Sequence, residues 1–265
     1  MKEDFLFRQS RQIRRLMIEA VRPKETHHIG CALGIVEILT YLYFHQLNIN
    51  PKNPNEDNRD IFLLSKGHAA LALYATLCQR GFFSKKDLLN YDKDGSFMPE
   101  HASTSVVGVE WSTGSLGHAL PVGVGLAYSY KIKKKKNRVF VLLSDGELNE
   151  GSNWEAIMFA GFHKLDNLTV IIDNNNFQGF GKTDEVINLS PLPPKFELFG
   201  WMVAECDGHQ FKRLDTAFNK PSFDKPKIIV VHTIKGKGIA FFENKFFSHY
   251  QSIDEKMKEE ILKNL

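Results

Sequence analysis

The sequence predicts an α/β fold: one domain over residues 1–265, a three-layer, doubly wound, mostly parallel sheet with helices on both faces. Three observations predict it. Two apolar, β-branched runs, Val139-Phe140-Val141-Leu142-Leu143 and Leu168-Thr169-Val170-Ile171-Ile172, flank a segment of helical period. Strand, helix and strand in about this length make a βαβ unit, the building block of parallel sheets. Further short apolar runs at residues 60–64, 202–206 and 227–231 read as buried strands, with helix-forming stretches between them.

The elements follow in order. Residues 8–21 place Ile13, Leu16, Met17 and Ala20 on one helical face, and Pro23 ends that helix. A polar turn, Thr26 to Gly30, leads into an apolar helix expected over 33–44. Residues 48–59 are polar and proline-rich, hence a surface loop before the strand at 60–64. Ser65-Lys66-Gly67-His68 turns into a helix over 69–79, and a short helix is expected near Leu88 and Leu89. A glycine turn, Gly114 to Gly117, opens a helix to about Tyr130, with Gly123, Gly125 and Ala127 permitting close packing. In the segment after Gly151, Trp154, Ile157, Met158, Gly161 and Phe162 share a face. Residues 183–194 read as a loop, Asp207 to His209 as a strand-end turn, and 250–265 as a charged amphipathic helix.

Composition narrows the function. A net charge of +3 gives no global attraction to nucleic acid or membrane, and no apolar run reaches spanning length. The basic block at 131–138 sits at the end of a helix, where cations are favoured, so a solvated helix end is expected there. Cys31, Cys78 and Cys206 lack paired spacing and read as reduced, mostly buried thiols. With a charged amino terminus free of a signal core, they suggest a cytoplasmic protein.

The chemistry concentrates at the carboxyl ends of two strands. The handedness rule places Asp145 and Asn175 at the same sheet edge, where open α/β sheets bind ligands. A carboxylate and a carboxamide are hard oxygen donors, suited to magnesium or calcium held with a phosphate. Gly146 permits a sharp turn, and the helix beginning near Gly151 directs its amino end at the same crevice.

Residues 144–181 resemble the thiamine-diphosphate motif, and in detail the transketolase family, with Ser144 in place of the usual first glycine and Gln178-Gly179-Phe180 after the second half. The resemblance spans about residues 10–250 and includes Thr26 to Gly30, Ser65 to Ala69, Val109 to Gly117 and Lys235 to Gly238. It implies the diphosphate domain of the thiamine-diphosphate-binding fold. It also implies thiamine diphosphate with magnesium or calcium as cofactors. Asp145, Asn175 and the Phe177 carbonyl would be metal ligands. His68, Gly114, Ser115, Leu116, Asp145, Gly146, Glu147, Glu155, Asn175 and His249 would bind cofactor. His28, His68, His101, His249 and Glu150 would be catalytic, with Glu150 in an interface proton network and Glu155 supporting the metal. The sequence departs from the family at His27, where glycine is usual beside the substrate channel. It departs again at Glu100 and Ala102 around His101, at His118, and at Ser248 before His249.

Full-length transketolases add a pyrimidine-binding and a carboxyl-terminal domain. The resemblance therefore implies the amino-terminal subunit of a split transketolase, transferring a two-carbon ketol unit from a ketose, expected to be phosphorylated, to an aldehyde. Its partner would be the chain carrying the pyrimidine domain, two of each in the assembly. The alternatives are the alpha chain of a 2-oxo acid dehydrogenase, a non-catalytic cofactor-binding protein, and a basic-patch nucleic-acid binder, which the near-zero net charge disfavours.

Overall fold

The structure, a computed structural model, describes residues 1–265. The strands are β1 (Ile61–Leu64), β2 (Val139–Ser144), β3 (Leu168–Asn174), β4 (Phe177–Gln178), β5 (Gly181–Lys182), β6 (Met202–Asp207) and β7 (Lys227–His232). Five of them run parallel in the main sheet, in the order β1-β2-β3-β7-β6, while β4 and β5 make a small separate antiparallel pair. The helices are α1 (Glu3–Ala20), α2 (Ile29–Leu33), α3 (Val36–Tyr41), α4 (Ala70–Arg80), α5 (Lys85–Leu88) and α6 (Ala119–Ile132), followed by α7 (Gly151–Phe162), α8 (Thr183–Val186), α9 (Leu192–Leu198), α10 (Phe211–Asn219) and α11 (Glu255–Asn264).

The period of two along each strand divides the core between the faces. Phe62, Leu64, Phe140, Leu142, Ile171, Ile229 and Val231 point to one face, covered by α1–α4 and α10. Ile61, Leu63, Val139, Val141, Leu143, Val170, Ile172, Ile228 and Val230 point to the other, covered by α6, α7 and α9. Both faces are dry, so the strands read as continuous apolar runs. The crossover helix α7 lies on one face and α10 on the other. The direction of winding therefore reverses between β3 and β7, and a crevice opens at their carboxyl ends.

Several expectations change in detail. The apolar helix expected over 33–44 is three pieces, α2, α3 and a π-type turn at Leu42–Gln46. The break at Gly34 lies where the chain passes the Ile234 carbonyl, which a Cβ at Gly34 would meet at 3.2 Å. The helix after the glycine turn begins only at Ala119. Gly123 seats it closely, since a Cβ there would come within 2.6 Å of Val141 Cγ2, whereas Gly125 faces open space. Residues 183–194 are no plain loop but include α8 and the start of α9.

On α7 the face toward the sheet is Asn153, Ala156, Ile157 and Ala160, while Met158 and Phe162 are exposed. Small residues let this helix approach closely. Gly161 abuts the Phe199 carbonyl, and a Cβ at Gly161 would stand 1.8 Å from that oxygen. Behind the site, α11 clasps α1: Lys258 Nζ donates to the carbonyls of Glu19 (2.9 Å) and Val21 (2.7 Å).

Candidate active site

Asp145 directly follows β2 and is buried. Its Oδ1 accepts from the Gly146 amide (2.8 Å) and its Oδ2 from the Asn176 amide (2.7 Å) and Thr183 Oγ1 (3.2 Å). Burial, and then the charge of Asp173, push its carboxyl up to about 6. A dry carboxylate beside a second acid is a cation site in waiting. Asn175 is buried as well; its Nδ2 donates to Asp173 (2.9 Å) and its Oδ1 accepts from the Phe177 amide (3.0 Å). Asp145, Asn175 and Phe177 line one recess of about 540 Å³ together with Thr233 and Asn244. Their oxygen donors fit a hard divalent cation.

Asp173 is wholly buried and holds this edge together. It accepts from Lys66, Thr233 and Asn175. The Thr233 bond spans the crevice between β3 and β7, and Lys66 reaches over the end of β2 from the turn after β1. Burial pulls the Lys66 ammonium down, but the adjacent Asp173 carboxylate raises it above its ordinary value.

Glu147 is also fully buried, accepting from Ser65 Oγ, the Gly117 amide (2.9 Å) and the Ser144 amide (3.2 Å). It is thereby a brace tying the strand-end turn to the glycine turn. Burial raises its carboxyl.

The second half of the site is a cleft of about 410 Å³ that shares Asn175 and Phe177 with the first recess. Gly146, Glu147 and Gln178 line this cleft. A Cβ at Gly146 would meet Gln178 Cβ at 2.6 Å, so no larger residue fits that turn.

In the cleft the imidazoles converge. His28 lies 5.2 Å from His68, 6.2 Å from His101 and 5.0 Å from His249, ring centre to ring centre. His28 adopts a left-handed backbone conformation, φ 56°, at the entry to α2. Burial takes His68 down to about 4, so it is neutral at physiological pH.

Other expected residues lie where their local structure puts them. Gly114 packs against His101 and, with Leu116, lines the cleft; Ser115 is exposed and does not. Glu150 is exposed at the cleft rim, just before α7, and its side chain lies against Gly117. Glu155 is a correction: it sits on the exposed face of α7 and lines neither recess, so it gives the metal residues no direct support. His27 is likewise exposed and does not line the cleft, and His118 turns back on the Leu116 carbonyl at 3.1 Å.

Sequence reasoning missed Asp173, Lys66, Cys31 and Lys235. Lys235 is buried, with Nζ 3.4 Å from Cys31 Sγ and 3.2 Å from His249 Nδ1. The loop that carries it is fixed by a buried network in which Arg14 and His209 pair with Glu37. From these, Arg14 Nε donates to the Lys237 carbonyl (3.0 Å), and His209 Nε2 accepts from the Ile234 amide (2.8 Å). The Asp207–His209 turn thus positions the Lys235–Gly238 loop.

Residues 8–264 match the family described as transketolase, thiamine diphosphate binding domain. The chain is 38% identical over 252 residues to a 6-deoxy-6-sulfo-D-fructose transketolase subunit from Clostridium sp. strain MSTE9, covering 94% of this chain and 92% of that one. It is 39% identical over 245 residues to one of the subunits of apulose-4-phosphate transketolase from Phocaeicola vulgatus, covering 92% and 87%. Human transketolase is 36% identical over 254 residues, covering 94% of this chain and 40% of its own length. Transketolase from Campylobacter jejuni superposes with a TM-score of 0.90 at 32% identity over 98% of this chain and 43% of that structure. The chain thus spans about two-fifths of the length of the single-chain transketolases and most of the length of the relatives named as subunits. These likenesses favour transketolase over a 2-oxo acid dehydrogenase alpha chain. The chain belongs to the transketolase family of transferases, as a thiamine diphosphate-binding domain similar along nearly its whole length to subunits of split transketolases.

Proposed function

We propose that this chain is the diphosphate-binding subunit of a split transketolase, moving a two-carbon ketol unit from an anionic, phosphorylated or similarly charged ketose to an aldehyde acceptor. The observation that carries the reading is the paired arrangement at one sheet edge: buried oxygen donors in one recess and four imidazoles in the adjoining cleft. The two relatives named as subunits act, by their names, on a sulfonated and a phosphorylated sugar, which supports the anionic substrate class.

Asp145, Asn175 and the Phe177 carbonyl would hold magnesium or calcium, and with it the diphosphate. Gly114, Ser115 and Leu116 would approach the same group through backbone, as glycine turns do. Thiamine diphosphate, when bound, supplies the stabilised carbon nucleophile that cleaves a ketose next to its carbonyl. This chain's residues handle protons and orientation. His68, neutral near pH 7, both donates and accepts hydrogen bonds. His28 holds a buried Nδ1 that no protein group satisfies, so that nitrogen is free for a ligand oxygen. His101 and His249 complete the ring of imidazoles around a sugar's hydroxyls. Glu150, exposed at the rim, suits a proton path shared with a partner chain.

The partner in this reading is a chain carrying the pyrimidine-binding domain, in a two-plus-two assembly in the cytoplasm. No helix is long and apolar enough to cross a membrane. The test is a tagged pull-down from the native cell with mass spectrometry, then reconstitution with thiamine diphosphate, magnesium and a panel of ketose donors. A copurifying pyrimidine-domain chain and donor-dependent ketol transfer are expected. Isolation of this chain alone, with no transfer after reconstitution, would reduce the reading to a cofactor-binding module.

A further inference from the structure

The cleft contains a second constellation, which shares His28 and His249 with the proposed ketol-transfer residues and adds Cys31, a group that chemistry does not use. Cys31 is buried at the cleft floor on α2, with its Sγ 3.3 Å from His249 Nδ1. Together with His28 it forms a set in which one sulfur and two imidazole nitrogens all lie within 4.8 Å of one another. His28 Nδ1 is buried and has no hydrogen-bond partner, an independent sign of an unclaimed ligand position. His68 stands beside both rings, 5.2 Å from His28 and 5.6 Å from His249 between ring centres.

We propose that Cys31, His28 and His249 form a soft-metal site that takes a zinc-class divalent cation. It is chemically distinct from the hard-oxygen site at Asp145 and Asn175, and a cation held there would block the cleft. Thiolate and imidazole select zinc, cobalt or cadmium over magnesium. In a tetrahedral zinc site, metal–ligand bonds of about 2.0–2.3 Å set neighbouring ligand atoms roughly 3.3–3.8 Å apart. The Cys31–His249 pair already meets this spacing at 3.3 Å, and His28 needs only a small ring movement.

Lys235 is the built-in competitor. Its ammonium lies 3.4 Å from the sulfur and 3.2 Å from His249 Nδ1, where it supplies the positive charge that a metal would otherwise bring. The other charged groups nearby are Lys66, whose Nζ is 3.4 Å from the Cys31 carbonyl, its partner Asp173, and Glu100, whose carboxylate lies 3.9 Å from His28 Nε2.

The test titrates cobalt(II) into the full chain free of cofactor, with excess magnesium present to fill the oxygen site. A sulfur-to-cobalt charge-transfer band is expected for the wild type and lost in Cys31→Ser. In Lys235→Met it should appear at about tenfold lower cobalt, because one opposing unit charge is gone. X-ray absorption at the metal edge of the wild type, which needs no variant to fold, should show one sulfur and at least two nitrogen neighbours. A band that survives in Cys31→Ser, affinity unchanged in folded Lys235→Met, or an all-oxygen shell would each overturn the proposal.

Discussion

Lys66 and Asp173, 107 residues apart in sequence, form an ion pair buried beneath the cation site and reaching across the end of β2. The lysine comes from the turn after β1 and the aspartate from β3, so the pair fixes the spacing of two strands that do not touch. Removing one member leaves an uncompensated charge in a dry place. Lys66→Met is expected to cost about 3–5 kcal/mol in denaturant unfolding. The double variant with Asp173→Asn should recover part of that loss. A single variant as stable as the wild type would show that the pair is not energetically coupled to the fold.

Asp145→Ala separates site from scaffold. Asp145 accepts from the amides of Gly146 and of Asn176, 31 residues on, and from Thr183 Oγ1, but burial beside Asp173 works against its charge, so a melting temperature within a few degrees of the wild type is expected. Second-layer metal partners typically cost 10–100-fold, so a direct ligand should cost about a hundredfold or more in ketol transfer at limiting cofactor. Activity equal to wild type under those conditions would remove Asp145 from the metal site.

Two buried groups titrate in opposite senses. Asp145 is held up at about 6 in the fold and returns to its ordinary value on unfolding. The fold therefore binds more protons than the unfolded chain, and this group's contribution is fully present in acid and lost as pH rises through 6. His68 is held down at about 4, so its contribution is present above its ordinary value near 6.5 and lost as pH falls toward 4. In metal-free buffer, wild type should gain on Asp145→Asn between pH 6 and 4 and lose ground to His68→Gln over pH 6.5 to 4. Each difference is on the order of 3 kcal/mol. Parallel stability curves for all three proteins would contradict both shifts.

Gly161→Ala tests how closely α7 sits. The new methyl would need the space of the Phe199 carbonyl, 1.8 Å away, and neither backbone can swing aside as a side chain would. Destabilisation at or above about 3 kcal/mol is expected, the upper end for overpacking. Gly125→Ala on α6, facing open space, should be neutral or slightly stabilising in the same assay.

His27→Gly is expected to leave relative rates across a sugar panel within about twofold, as for other exposed positions. A larger change in preference would mean that His27 meets substrate in the assembled enzyme despite its exposure here.

The sequence made the sheet legible because its strands are buried on both sides and read as unbroken apolar runs. Asp145 and Asn175 stood out because each lies just past such a run. Lys66 and Asp173 did not, since nothing local shows that two charges so far apart in sequence will meet. The burial of Lys235 was hidden for the same reason: its neighbour Cys31 lies 204 residues away. On α7 the helical period gave an amphipathic pattern whose face was partly right: Ile157 is buried on it and Trp154 packs beside it, but Met158 and Phe162 are exposed. Large apolar residues drew the eye to Met158 and Phe162, whereas close approach to the sheet selects small ones.

The clasp between α11 and α1 has a consequence for synthesis. Lys258 closes onto the Glu19 carbonyl from 239 residues downstream. At about 5–20 residues per second, a ribosome needs roughly 12–48 s between making those two positions. Throughout that interval α1 waits with part of its surface uncovered. Nascent-chain handling, rather than the finished fold, is where a weakened α11 would first be felt.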